Sequence, residues 1–124
     1  MADFTDVIGV EEVPDGSMVR IDVPGTSVLL ARVGDRIFAT QSRCPHLGGD
    51  LSKGTLSGTV VRCPLHGSEF DLSDGRVVRW TKFTGAARAV AAALRHERPL
   101  RVYEVRVENG RVLLGPERRS GGAV

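Results

Sequence analysis

Two thiols and two imidazoles are spaced so that they can serve one metal site: Cys44-Pro45-His46 and Cys63-Pro64-Leu65-His66, with sixteen residues between His46 and Cys63. They include the only two cysteines of the chain and two of its three histidines. Such a donor set suits a tetrahedral zinc ion, or a cluster of two irons and two sulfides in which histidines replace cysteines on one iron. A structural zinc finger groups like ligands, taking a cysteine pair from a tight knuckle and a histidine pair from a helix. Here each loop is mixed. One thiolate and one imidazole from each loop let the thiolates share one iron and the imidazoles the other, so the spacing favours the cluster.

The loops Cys44-Pro-His-Leu-Gly-Gly-Asp and Cys63-Pro-Leu-His-Gly-Ser-Glu-Phe-Asp closely resemble the two cluster-binding boxes of Rieske iron-sulfur proteins. The likeness is dense over residues 40–77 and extends, as a pattern of short strands, from about residue 4 to 115. It implies one [2Fe-2S] cluster per chain, with Cys44 and Cys63 on a buried iron and His46 and His66 on an outer iron near the surface. Neutral imidazoles in place of thiolates remove negative charge from the centre, which eases reduction. Gly48, Gly49 and Gly67 let backbone pass close to the sulfides and present amides to them. High-potential respiratory members of that family carry an extra cysteine in each box, joined as a disulfide; Gly49 and Leu65 stand there in this chain. Ser68 matches a serine that donates to a bridging sulfide, but Phe70 replaces a tyrosine donor. The resemblance therefore implies a low to intermediate potential.

These loops need a rigid frame. Short β-branched stretches, Phe4 to Val10, Met18 to Val23, Val28 to Val33 and Ile37 to Thr40, alternate with Pro14-Asp15-Gly16, Pro24-Gly25 and Gly34-Asp35, as in an all-β domain. Asn109-Gly110 marks a tight hairpin near the end of the chain. Tyr103, Val105 and Val107 alternate with Glu104, Arg106 and Glu108, which places the former on a core face. Leu51 to Val61 reads as a strand or hairpin bent at Gly54 and Gly58, and Ser73-Asp74-Gly75 as a turn between two further strands. Residues 85–97 are alanine-rich and predict a short helix with Thr84 as cap and Pro99 as stop. Trp80 and Phe83 read as core packing beneath it, and His96 as a surface residue at its end.

The expected architecture is thus an antiparallel Rieske-like β-sandwich or barrel over residues 1–115, carrying a small cluster-binding subdomain (loops 44–50 and 63–71) and one helical insertion, followed by a disordered tail over 116–124. With 124 residues, 41% hydrophobic and 26% charged, the chain suits one soluble domain. No apolar run approaches the roughly 20 residues of a membrane-spanning helix. The N-terminus lacks a secretory layout, which predicts a cytoplasmic protein. Charge is uneven, with five acids and no base in residues 1–15, and nine bases against three acids in 76–111. Few aromatics and scattered arginines speak against nucleic-acid binding.

The resemblance implies a soluble ferredoxin, a non-catalytic component that passes single electrons from a reductase to a terminal oxygenase or similar acceptor. Leu47 and Leu65, beside the outer ligands, are candidate docking residues. Three other readings stay open: a small Rieske subunit or redox sensor of a larger oxidoreductase, a Cys2His2 zinc-binding interaction module, and a cysteine hydrolase with one Cys-His pair. The last leaves a redundant second pair.

Overall fold

Turn chemistry cuts the chain into short strands. The computed structural model describes residues 4–45, 48–65, 67–79 and 99–118. Among them lie ten strands: β1 (Thr5–Gly9), β2 (Met18–Val23), β3 (Thr26–Val33), β4 (Arg36–Gln41), β5 (Thr55–Ser57), β6 (Val60–Arg62), β7 (Glu69–Asp71), β8 (Val77–Arg79), β9 (Val102–Glu108) and β10 (Arg111–Arg118). Pro24-Gly25 joins β2 to β3, Gly34-Asp35 joins β3 to β4, and Asn109-Gly110 joins β9 to β10. Asn109 and Gly110 have φ of 53° and 74°. That positive pair is what a two-residue hairpin turn of matching twist requires.

Six strands form one antiparallel sheet in the order β1-β10-β9-β4-β3-β2, and four form a second in the order β5-β6-β7-β8. The outer strands β1 and β2 of the larger sheet approach each other across a cleft lined by Val7, Ile21, Val23 and Leu114, so this sheet curls into a near-closed barrel. β3 explains the layering. Its run Val28-Leu29-Leu30-Ala31 is buried throughout, because successive side chains point to opposite faces and both faces are covered. Val28 and Leu30 join Val13, Ala39 and Val112 inside the barrel. Leu29 and Ala31 join Phe38, Leu51, Val61, Phe70, Leu72 and Leu100 in a second apolar cluster beneath the smaller sheet.

Two expectations are corrected. Val107 shares the face of Tyr103 and Val105 but is 47% exposed, although Val112 directly opposite it is buried; the β4 ladder beside β9 pairs only at Tyr103 and Val102 and does not extend to Val107. The tail does not begin at residue 116: β10 continues to Arg118, with Glu117 opposite Tyr103 and Arg118 opposite Val102. The ladder slips between Leu114 and Glu117, which accommodates Pro116 and its missing N–H. Sequence periodicity misses such a segment because backbone pairing, not apolar alternation, holds it. The helix expected over 85–97, Trp80, Phe83, His96 and the remainder of the tail lie outside the described residues. No helix among the described residues is long and apolar enough to cross a membrane.

Candidate metal centre

The first cysteine loop leaves the end of β4, and the second is the connection between β6 and β7 in the smaller sheet. Both close on themselves in the same way. The Cys44 amide donates to the Gly49 carbonyl at 2.8 Å and the Gly48 amide to the Cys44 carbonyl at 2.7 Å. In the second loop the Cys63 amide donates to the Ser68 carbonyl at 2.7 Å and the Gly67 amide to the Cys63 carbonyl at 3.2 Å. Gly48 and Gly67, each four residues after its cysteine, have φ of 76° and 72°. A side chain at either position would resist that conformation. Two loops unequal in ligand spacing therefore share one backbone ring.

The rings also meet. A methyl group placed on Gly49 would lie 2.9 Å from Cys63 Sγ and 3.0 Å from Leu65 Cγ and Cδ1. Gly49 and Leu65, which stand where respiratory members of the resembled family carry a disulfide pair, thus face each other in contact. Cys44 and Cys63 are not bridged and are 2% and 3% exposed, within the apolar cluster that holds Leu51, Phe70 and Leu72. Ser68 and Phe70 are fully buried beside them. Leu65 is 52% exposed at the tip of the second loop. His46, His66 and Leu47 lie outside the described residues, so the structure places two of the four expected ligands.

Sequence reading missed a repeat just downstream of the two loops. Asp50-Leu51-Ser52-Lys53-Gly54 and Asp71-Leu72-Ser73-Asp74-Gly75 are the same five-residue pattern, Asp-Leu-Ser-x-Gly, written twice. Asp50 Oδ1 accepts from the Ser52 amide and hydroxyl at 3.0 and 2.6 Å, and Asp71 Oδ1 from those of Ser73 at 2.9 and 2.6 Å. Each leucine is buried in the cluster under the cysteines. Each glycine is pressed against backbone: a methyl on Gly54 would fall 1.9 Å from the Arg62 carbonyl oxygen, and one on Gly75 2.3 Å from that of Leu100. Gly54 is required by this close approach rather than by a bend. The repeated tripeptide was the available signal.

Burial pushes the carboxyl groups of Asp50 and Asp71 up, but their hydrogen bonds outweigh it. For Asp50 these come from Ser52 and Arg20, and for Asp71 from Ser73 and Thr59 with the nearby Arg76 guanidinium. Both carboxyls end below the ordinary range. A group whose folded pKa is depressed stabilises the fold fully above its unfolded value of about 3.9, and loses that contribution as pH falls through the folded value. Asp71→Asn is therefore expected to cost about 1.5 kcal/mol at pH 7, the scale of hydrogen bonds to a charged group. The gap between variant and parent should shrink as pH drops below about 4. Thermal unfolding of both proteins from pH 7 to pH 3 measures it, and a gap that stays constant contradicts it.

The donor set and its cradle fit an iron-sulfur cluster. Two buried thiols sit in facing loops, Gly49 lets the backbone of the first loop lie close to Cys63 Sγ, and an apolar wall lies behind; the Gly48 and Gly67 amides, expected to face the sulfides, instead donate to the cysteine carbonyls. Comparison with known proteins agrees. The family model described as "Rieske [2Fe-2S] domain" matches residues 3–104. The ferredoxin component of biphenyl 2,3-dioxygenase from Rhodococcus jostii (strain RHA1) is 33% identical over 117 residues, covering 92% of this chain and 94% of that protein. The ferredoxin component of the naphthalene 1,2-dioxygenase/salicylate 5-hydroxylase systems of a Ralstonia species is 30% identical over 114 residues, covering 92% and 96%. A chain in the solved complex of reduced oxygenase and oxidised ferredoxin in carbazole 1,9a-dioxygenase superposes with a TM-score of 0.73 at 29% identity, covering 94% of this chain and 95% of that one. The chain belongs to the Rieske [2Fe-2S] family, and a [2Fe-2S] cluster is its cofactor.

Proposed function

We propose that this protein is a one-electron carrier that takes electrons from a reductase and delivers them to the terminal oxygenase of a dioxygenase system, working in the cytoplasm. Cys44 and Cys63 hold one iron, and His46 and His66 hold the other. When bound, the cluster supplies reversible one-electron redox chemistry. The observation that carries the reading is the pair of matching cysteine rings in contact above the apolar cluster of the smaller sheet, with Gly49 against Cys63 Sγ. Around it the chain's own residues exclude water from the thiols, fix the loops and expose Leu65 at the tip. Relatives named as ferredoxin components of dioxygenase systems support the role.

Anaerobic titration with dithionite should consume one electron per chain and produce a paramagnetic resonance signal. Colourless protein with one bound zinc would overturn the reading. Leu65→Asp should leave that signal unchanged and slow transfer to the oxygenase about tenfold, the loss of one apolar anchor of about 1.4 kcal/mol. Stopped-flow oxidation of the reduced protein measures this; an unaltered rate removes Leu65 from the docking surface.

A further inference from the structure

Among the described residues, the exposed or partly exposed arginines and one lysine fall into groups by whether they stand within ion-pair distance of a carboxylate. Arg20, Arg76, Arg106, Arg111 and Arg118 each sit within ion-pair distance of an aspartate or glutamate. Arg32 donates to the Gly34 and Val13 carbonyls, and Arg36 lies over the Phe38 ring, both toward the end of β3 and β4 remote from the cysteine loops. Four exposed cations, Arg43, Lys53, Arg62 and Arg101, have no ion pair among the described residues, and all four flank the loops. Lys53 and Arg62 line one groove with Cys63, Pro64 and Leu65. Arg43 donates to the Gly48 carbonyl at 3.1 Å, and Arg101 shares a second groove with Pro45. Gln41 ties these two together, accepting from the Arg101 amide at 2.8 Å and donating to the Arg43 carbonyl at 2.7 Å. The nearby acids are engaged or outnumbered: Asp50 by Arg20 and Ser52, and Glu69 by its ladder position opposite both Arg62 and Arg79.

We infer that the rim around the two cysteine loops is a cationic docking surface for an acidic patch on the protein that receives the electron. The net charge of the chain is only +2, so a long-range pull toward an acidic partner must come from where the cations stand. Exposed cations that outnumber the acids beside them, as Arg43, Lys53, Arg62 and Arg101 outnumber Asp50 and Glu69, create such a field. Cations matched by local acids do not. The apolar Leu65 in the middle and charged groups at the edge reproduce the ordinary division of an interface into a dry centre and a polar rim. This inference rests on the carrier reading and adds the chemistry of the partner.

The test uses the reduced holoprotein and ferricyanide, a trianion that takes one electron and becomes ferrocyanide. The second-order rate constant should fall about tenfold between low and high salt, as steering by opposite charge is screened. Lys53→Glu combined with Arg62→Glu should flatten that dependence. Arg36→Glu combined with Arg106→Glu likewise takes the net charge from +2 to −2, but away from the loops, and should leave most of the dependence in place. Calorimetric titration of the oxidised protein with decaglutamate should show the same ranking, with binding lost only in the first double variant. Equal effects of the two double variants, or no salt dependence in the parent, would overturn the inference while leaving the carrier reading intact. Reduced protein that passes no electron to ferricyanide would instead count against the carrier reading itself.

Discussion

Cys63→Ala is expected to yield a folded chain with no visible charge-transfer absorption and no paramagnetic signal after reduction. The fold should survive because Cys63 contributes little to it beyond one sulfur atom in an apolar cluster. Phe70, Leu72, Leu51, Val61 and Leu100 fill the rest of that cluster, so the cavity left by Sγ costs about 1 kcal/mol. The Cys63 amide and carbonyl, which close the loop ring, remain. The cluster should not survive, because loss of one of two thiolates leaves an iron without a donor that water cannot replace in a buried site. His66→Ala should likewise remove the native signal. Circular dichroism establishes the fold, and iron and sulfide analysis the content. Full cluster occupancy in either variant would refute the assigned ligand set.

Gly54→Ala and Gly75→Ala should each cost about 3 kcal/mol or more and lower the unfolding midpoint by roughly 10 °C, whereas Gly58→Ala should cost about 1 kcal/mol. The comparison separates space from backbone strain. Gly58 has φ of 57° with nothing near its missing side chain. Gly54 has ordinary φ of −84°, but a methyl added there would fall 1.9 Å from the Arg62 carbonyl oxygen. Gly75 combines φ of 82° with an added methyl's 2.3 Å clash against the Leu100 carbonyl oxygen, while its own carbonyl accepts from the Leu100 amide at 2.8 Å. Backbone cannot yield as a flexible side chain can. Since Arg62 precedes Cys63 directly, any shift of its carbonyl is passed to the second loop. Equal midpoints for the three variants in denaturant titrations would show that these contacts relax at no cost.

Much of the frame was legible because its turns are chemical. Gly34-Asp35 and Asn109-Gly110 specify their hairpins locally, and the mixed Cys-His loops specify their family through residue types that few other sites combine. What stayed hidden depends on contacts distant in sequence. Gly54 looks like a bend until Arg62 is laid against it. Val107 keeps the alternation of its strand, yet the β4 ladder does not extend beside it, while Val112 opposite is buried. The strand beyond Gly115 is held by pairing with Tyr103 and Val102 and has no apolar rhythm of its own. The four cations of the loop rim are scattered from residue 43 to residue 101, and only folding collects them.

The twin backbone rings have a consequence for speed. A centre that gains or loses an electron transfers slowly when its surroundings must rearrange to suit the new charge. Here each cysteine is held by two hydrogen bonds of its own loop, and the loop is followed by an aspartate-serine turn and a leucine fixed in the core. Such a surround has little freedom to respond, so for a cluster held by these cysteines, as proposed, the loops would add little to the reorganisation that slows electron transfer.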